Sequence, residues 1–257
     1  MLKTGNVKLQ SALLGNCYEL MPIDIQLLPR LQAKSVRDSG NQYYVDSKGD
    51  RLPSVSTILN ATRPKEDRDR LVNWRQRVGT DEANRISSTA SRRGTQTHKH
   101  IQRYLLGEDT PCPDASLPYW ESIKPVLQNI DIVRLVESPV FHYDLRYAGI
   151  VDCVASYKDI PCVCEWKTAD RPKGTIDRLF DYPLQLSAYL GAVNHYYQDC
   201  GVKLDRALLV VAIPEQQAEV FWFEPATIDF YWQQWEKRVT AYWQRRGKYS
   251  LGGKGND

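Results

Sequence analysis

The sequence predicts an α/β fold in a single enlarged domain. Three observations predict it. Stretches with helical apolar spacing precede and follow three adjacent β-like runs. A short apolar run, Ala207 to Ile213, comes after the later helical stretch and is β-branched enough to be a buried strand. The length, 257 residues, is long for one small domain and short for two, on a prior of roughly 100–200 residues per domain.

Residues 1–50 carry scattered prolines and polar turns with weak periodicity, which reads as a lead-in, extended or partly ordered, of no legible function. Residues 51–246 are expected to form one domain, helical over 51–130 and sheet-forming over the core 131–246. The glycine-rich end, 247–257, is expected to be a flexible tail.

Glu66 to Val78 is charged and free of proline and glycine, as a solvent-facing helix would be, with Pro64 near its start. A second helix is expected from about Arg92 to Leu106, where His98, Ile101, Gln102 and Leu105 fall on one face. A third follows Pro118, with Trp120, Ile123, Leu127 and Ile130 on a stripe and Pro125 expected to kink it. Ile132 to Asp144, Tyr147 to Tyr157 and Pro161 to Thr168 then read as a meander of strands joined by polar turns. Pro183 to Gln198 reads as a helix, and Glu219 to Glu224 as an outer strand. A closing helix from about Ala226 to Arg246 aligns Trp232, Trp235, Val239 and Tyr242, with a basic end that suits the negative pole of a helix.

Composition narrows the class. With 42% apolar and 25% charged residues, and 7 tryptophans, 15 tyrosines and 5 phenylalanines, the chain is far from the profile of disorder. Six cysteines, none in a CxxC pair, are too few for a disulfide scaffold and lack zinc spacing. The longest apolar run is far shorter than the roughly 20 residues a spanning helix needs. Lys3 and Lys8 lead no apolar signal stretch, and the first arginine is Arg30, which argues against a transit peptide. An intracellular location is the default expectation.

The net charge of +3 is unevenly spread. Arg63 to Arg103 holds 11 basic and 5 acidic residues, whereas Tyr104 to Trp166 holds 4 basic and 10 acidic. A basic stretch beside an acidic one suits a protein that gathers a phosphate backbone and presents it to metal-binding carboxylates. Two solvated faces would give the same balance.

Asp152 closes GIVD in the second strand, and Glu165 and Lys167 form EWK in the third. Alternation puts Glu165 and Lys167 on one face and Trp166 on the other. Two carboxylates from adjacent strands with a lysine beside them make a hard-oxygen site for Mg²⁺ or Mn²⁺, suited to phosphodiester hydrolysis. Charged residues also end strands routinely, so D…ExK alone is weak. Gln185 and Tyr189 in QLSAY share a helix face, Glu137 lies in the first strand, and His98 lies in the preceding helix. Singly, each could be a surface or packing residue; together, in this order, they point to one site.

The series His98 in RGTQTH, Glu137 in VES, Asp152 in GIVD, Glu165 and Lys167 in EWK, and Gln185 and Tyr189 in QLSAY resembles the RecB-type branch of the PD-(D/E)XK nucleases. More closely, PSVSTIL at Pro53 to Leu59, YAGIVDCVASY, CVCEWKTA and DYPLQLSAYLGAVNH are similar to the mitochondrial genome maintenance exonuclease family and its bacterial or phage relatives, from about Leu52 to Tyr242. The resemblance implies a restriction-endonuclease-like core, a mixed central sheet flanked by helices, with an N-terminal helical extension and its active site where the second and third strands diverge. It implies a metal-dependent exonuclease on single-stranded DNA, active in replication, repair or recombination, working with Mg²⁺ or Mn²⁺. His98, Glu137, Asp152 and Glu165 would be metal ligands, with the Trp166 carbonyl as a further one; Lys167 would assist the attacking water, and Gln185 and Tyr189 would support the site. Some RecB-type relatives close an iron–sulfur cluster with four cysteines. Here Cys162 and Cys164 form a CxC with no CxxC partner, so no cluster is expected.

Arg92 and Arg93 are candidates for clamping phosphates, and Trp74, with Arg75 and Arg77 beside it, for stacking bases; helix solvation and core packing are the alternatives. His100, His142 and His195 have no spacing that requires a metal. The expected partners are single-stranded DNA and replication or repair proteins, with no membrane, the chain acting as a monomer. A double-strand endonuclease on the same core and a catalytically silent nucleic-acid-binding module are the rival readings. A nucleotide-binding oxidoreductase is disfavoured, since neither GxGxxG nor GxxxxGK[ST] occurs.

Overall fold

The computed structural model describes residues 24–247. The expectations for residues 1–23, and for the tail beyond Gly247, lie outside the described residues. Among the described residues no helix is long and apolar enough to cross a membrane.

Five strands make the main sheet: β4 (Ile130–His142), β5 (Tyr147–Tyr157), β6 (Ile160–Thr168), β7 (Ala207–Ala212) and β8 (Glu219–Phe223), in that spatial order. All neighbours are antiparallel except β6 and β7. A parallel pair needs a crossover, and α5 (Tyr182–Tyr197) supplies it. The helix–strand–strand–strand–helix–strand order expected from the sequence is therefore the order observed, in a mixed sheet flanked by helices.

Alternation divides the core. From β7, Leu209 and Val211 face a layer built of α5, α1 (Val55–Ala61) and α6 (Pro225–Gln244), while Leu208 and Val210 face α3 (Thr80–Leu105) and α4 (Leu117–Leu127). α6 buries Trp235, Val239 and Tyr242 on its inner stripe, at about 1.5–3 kcal/mol for each large side chain removed from water. The PSVSTIL segment is the start of α1: Ser54 caps it by accepting from the Thr57 N–H at 3.0 Å, and Val55, Ile58 and Leu59 enter the core.

Part of the lead-in is ordered. β1 (Ala33–Asp38), β2 (Asn41–Asp46) and β3 (Arg51–Pro53) form a three-stranded antiparallel sheet. Its strands are short and mostly half-exposed, so their alternation is faint in sequence. They hold by docking Tyr44 and Leu52 onto Phe141 and Ala148 of the main sheet.

Two helix boundaries also differ from expectation. α3 begins at Thr80, well before Arg92, because Gly79, with a φ of +86°, breaks the chain between α2 (Lys65–Val78) and α3 and lets a polar helical stretch precede the apolar one. Ile130 opens β4 instead of extending the stripe of α4, which stops two residues after Pro125. α2 packs against α3 and buries none of its residues.

Candidate active site

The pairing of β5 with β6 ends at Cys153 opposite Cys164. Asp152 and Glu165 are the next residues outward, so both carboxylates sit where the two strands part. The gap is closed by the Trp166 N–H, which donates to Asp152 Oδ2 at 2.8 Å. Trp166 itself turns into the opposite core layer, as alternation requires.

Glu137 arrives from the other side of β5. The β4–β5 ladder pairs Val136 with Cys153 and Ser138 with Val151, skipping the position between them, where Glu137 adopts a φ of +44°. A non-glycine residue with positive φ inside a strand is strained, and such strain persists where surroundings enforce it. Here Arg30 contributes: its Nη2 donates to the Glu137 carbonyl at 2.6 Å.

His98 closes the group from α3. Its Nε2 donates to the Trp166 carbonyl at 2.8 Å, which presents Nδ1 to Glu137 Oε1 at 3.4 Å and Asp152 Oδ1 at 3.5 Å. One ligand atom each from His98, Glu137 and Asp152 lie within 4.8 Å of one another. An open groove of about 330 Å³, lined by Gly94, Thr95, Lys99 and Gln102, reaches His98 and Glu137.

The charges are strongly interdependent. Burial works against a charged His98, but Asp152 and Glu137 outweigh it and hold its pKa well above the usual imidazole range. Burial raises Asp152, yet His98, Lys167 and the Trp166 N–H bring it below the ordinary carboxylate value. Glu165 goes the other way: burial and Asp152 push it up to about 7, against the pull of Lys167. Lys167 remains charged, its burial outweighed by Glu165 and Asp152.

A polar chain runs back from this point. Lys167 Nζ donates to Glu165 Oε1 and, at 3.2 Å, to Gln185 Oε1; Gln185 Nε2 donates to the Tyr189 hydroxyl at 2.9 Å. Glu165 Oε2 is buried without a hydrogen-bond partner. An orphaned carboxylate oxygen beside a cluster of hard oxygen and imidazole donors fits a divalent cation.

The remaining candidates fall elsewhere. Arg93 bonds Asp170 Oδ1 at 2.5 Å and Thr168 Oγ1 at 3.3 Å and lies over the Tyr119 ring, so its guanidinium pins α3 to the end of β6. Arg92 is exposed. Trp74 and Arg75 are half-buried on α2, Arg75 donating to Asn84 Oδ1 at 2.5 Å, and Arg77 is exposed. His100 packs edge-on against Trp120, and His142 stacks on His195. Cys153, Cys162 and Cys164 are buried free thiols. Arg30 was not legible as part of the site: it is 107 residues from Glu137 in sequence, and no local pattern marks it.

No family model matches the chain. Among curated proteins it is 34% identical over 208 residues to mitochondrial genome maintenance exonuclease 1 of Xenopus tropicalis, covering 76% of this chain and 58% of that protein. The mouse protein of the same name is 34% identical over 212 residues, with 77% and 61% covered, and the human one 32% over 214 residues, with 78% and 60%. The chain thus spans about three fifths of the length of these relatives. A solved structure from Eubacterium rectale covers 63% of this chain and 69% of its own at a TM-score of 0.40 and 14% identity, a likeness too low to carry an argument. The similarity read from the motifs therefore extends over three quarters of the chain.

Proposed function

From its similarity to the mitochondrial genome maintenance exonucleases, we propose that this chain is a PD-(D/E)XK phosphodiester hydrolase, a metal-dependent exonuclease degrading single-stranded DNA from free ends. The observation that carries this reading is the convergence of His98, Glu137 and Asp152 at the point where β5 and β6 part, with Glu165 and Lys167 alongside.

His98 Nδ1, Glu137, Asp152 and Glu165 would hold Mg²⁺ or Mn²⁺; a bound cation supplies Lewis-acid stabilisation of charge on the phosphate. The Trp166 carbonyl, read as a further ligand, already accepts from His98 and serves to fix the ring. Lys167 keeps its proton at Nζ, placing a fixed positive charge where a phosphate under attack gains negative charge and orienting the attacking water. Gln185 holds that ammonium in place, and Tyr189 holds Gln185.

The reading of single-strand selection rests on α2 and α3, which follow one another across Gly79. α2 buries no residue, α3 carries His98, and the basic stretch Arg63 to Arg103 spans both. A basic element of this kind lying over the site would admit a strand by threading and exclude a duplex by width. On this reading 51–246 is one nuclease domain, and β1 and β2 extend it by pairing onto β3 at its N-terminal edge. The curated relatives are named for mitochondrial genomes, whereas a bacterial or phage setting is read from the motifs; DNA with free ends serves either.

The test uses end-labelled linear single strands, blunt duplexes and circular single strands, with Mg²⁺ and with EDTA. Degradation of the linear strand alone, in Mg²⁺ alone, is expected. Rapid cutting of the circle favours the endonuclease rival, and binding without cleavage favours the silent module.

A further inference from the structure

We propose that Phe180 is a base-stacking residue, forming with Arg63 and Arg70 a subsite for one nucleotide of a single strand beside the catalytic centre; this rests on the nuclease reading above. Phe180 has φ +52° and ψ −122°, and Asp181 after it φ −80° and ψ −2°. These are the two central positions of a type II′ turn, the first of which glycine normally fills because a Cβ is strained there. Among the described residues with positive φ other than glycine, Phe180 is the only aromatic.

The strain obtains no burial in return. Leu179 before the turn is fully buried, but Phe180 is 66% exposed. An apolar ring held at a strained position and presented to water points to a ligand rather than to packing. The turn is also held firmly: Arg238 reaches Asp181 Oδ1 at 3.4 Å while donating to Thr62 Oγ1 and, at 2.7 Å, to the Leu59 carbonyl.

The surroundings suit a nucleotide. Phe180 lines a groove of about 360 Å³ with Arg63, Asp67, Arg70, Leu71 and Asp181; Arg70 pairs with Asp67 Oδ1 at 2.6 Å and Arg238 reaches Asp181, so both carboxylates have a cationic partner and Arg63 pairs with neither. Leu71, on α2, is itself exposed, so two apolar side chains border the groove with guanidiniums beside them. Apolar and aromatic faces for a base with cations for its phosphate are how single strands are held without sequence preference. The catalytic centre is near: Tyr182, two residues on, has the Lys167 Nζ 4.9 Å from its ring centroid.

Phe180→Gly tests this, because it removes the ring and relieves the turn together. Binding of a fluorescent single-stranded oligonucleotide is measured in EDTA, alongside an oligonucleotide of the same length bearing abasic sites, and thermal unfolding is followed on the same samples. The expected result is an unchanged or raised Tm with affinity for the base-bearing strand about tenfold lower, as loss of one stacked base predicts. The parent should prefer bases to abasic sites, Phe180→Gly should not, and Phe180→Trp should restore the preference. Equal affinity of the parent and Phe180→Gly, in a parent that degrades the strand, overturns the subsite alone. A parent that neither binds nor degrades the strand overturns the nuclease reading and the subsite with it.

Discussion

Gly149 on β5 lies so close to Tyr189 on α5 that a Cβ on the glycine would stand 2.4 Å from Cε1 of the tyrosine ring. Tyr189 is the end of the chain that holds Gln185 and, through it, Lys167. Gly149→Ala must displace the ring, and overpacking of this kind costs about 1–3 kcal/mol. The expected outcome is a modest loss of Tm with a fall in kcat of about tenfold or more and little change in KM. Unchanged kcat in a folded Gly149→Ala protein would show that Tyr189 does not position Lys167.

Asp152→Asn, Glu165→Gln and Lys167→Ala are each expected to abolish hydrolysis while leaving the fold intact, since they remove charge at the site rather than core volume. Circular dichroism and thermal unfolding separate the two effects. His98→Ala should lower activity far more than stability, because the ring is tied to Trp166 and to both carboxylates. Retained cleavage in any two of the first three variants places the chemistry elsewhere.

Arg30 supports the strained Glu137 peptide by a 2.6 Å bond to its carbonyl. Partners that orient a ligand typically contribute 10–100-fold in metal affinity. For Arg30→Ala, the Mg²⁺ concentration giving half-maximal activity should rise by about tenfold while activity at saturating Mg²⁺ changes less. An unaltered Mg²⁺ requirement would separate Arg30 from the site.

His142 supplies a stability prediction away from the catalytic chemistry. Burial, with the neighbouring His195, lowers its pKa to about 4, and Asp144 only partly opposes this. The Leu145 N–H donates to its Nδ1 at 3.3 Å, which the neutral ring accepts. In the unfolded chain it titrates near 6.5, so between about 4 and 6.5 the unfolded state binds more protons. Stability should therefore fall as the pH drops through that window, by about 1 kcal/mol per pH unit from this residue. Urea unfolding between pH 4.5 and 7.5 should show a flatter slope for His142→Phe than for the parent; parallel slopes would remove His142 from the acid response.

From Glu66 onward most elements were legible, α2 from its charged run free of proline and glycine and the others from apolar periodicity, while the polar first turns of α3 were not. GIVD and EWK placed Asp152, Glu165 and Lys167 on adjacent strands, and the family resemblance implied a site where those strands part. The strands β1, β2 and β3 were not anticipated, because each is short and gains its stability by docking rather than by its own pattern. Arg93 looked like a phosphate clamp from its place before His98, and only its bonds to Asp170 and Thr168 give it a structural task.

What the sequence determined by itself was local: most of the helices and main-sheet strands, and which acids, amides and imidazole were candidates for the chemistry, since these depend on residue type and spacing along the chain. What tertiary structure decided was everything that requires distant segments to meet. It brought Arg30 to Glu137, turned His98 Nδ1 toward two carboxylates, and left Glu165 Oε2 without a partner. It also set Phe180 in a turn that favours glycine, because the fold fixes a backbone angle there that the residue alone would avoid.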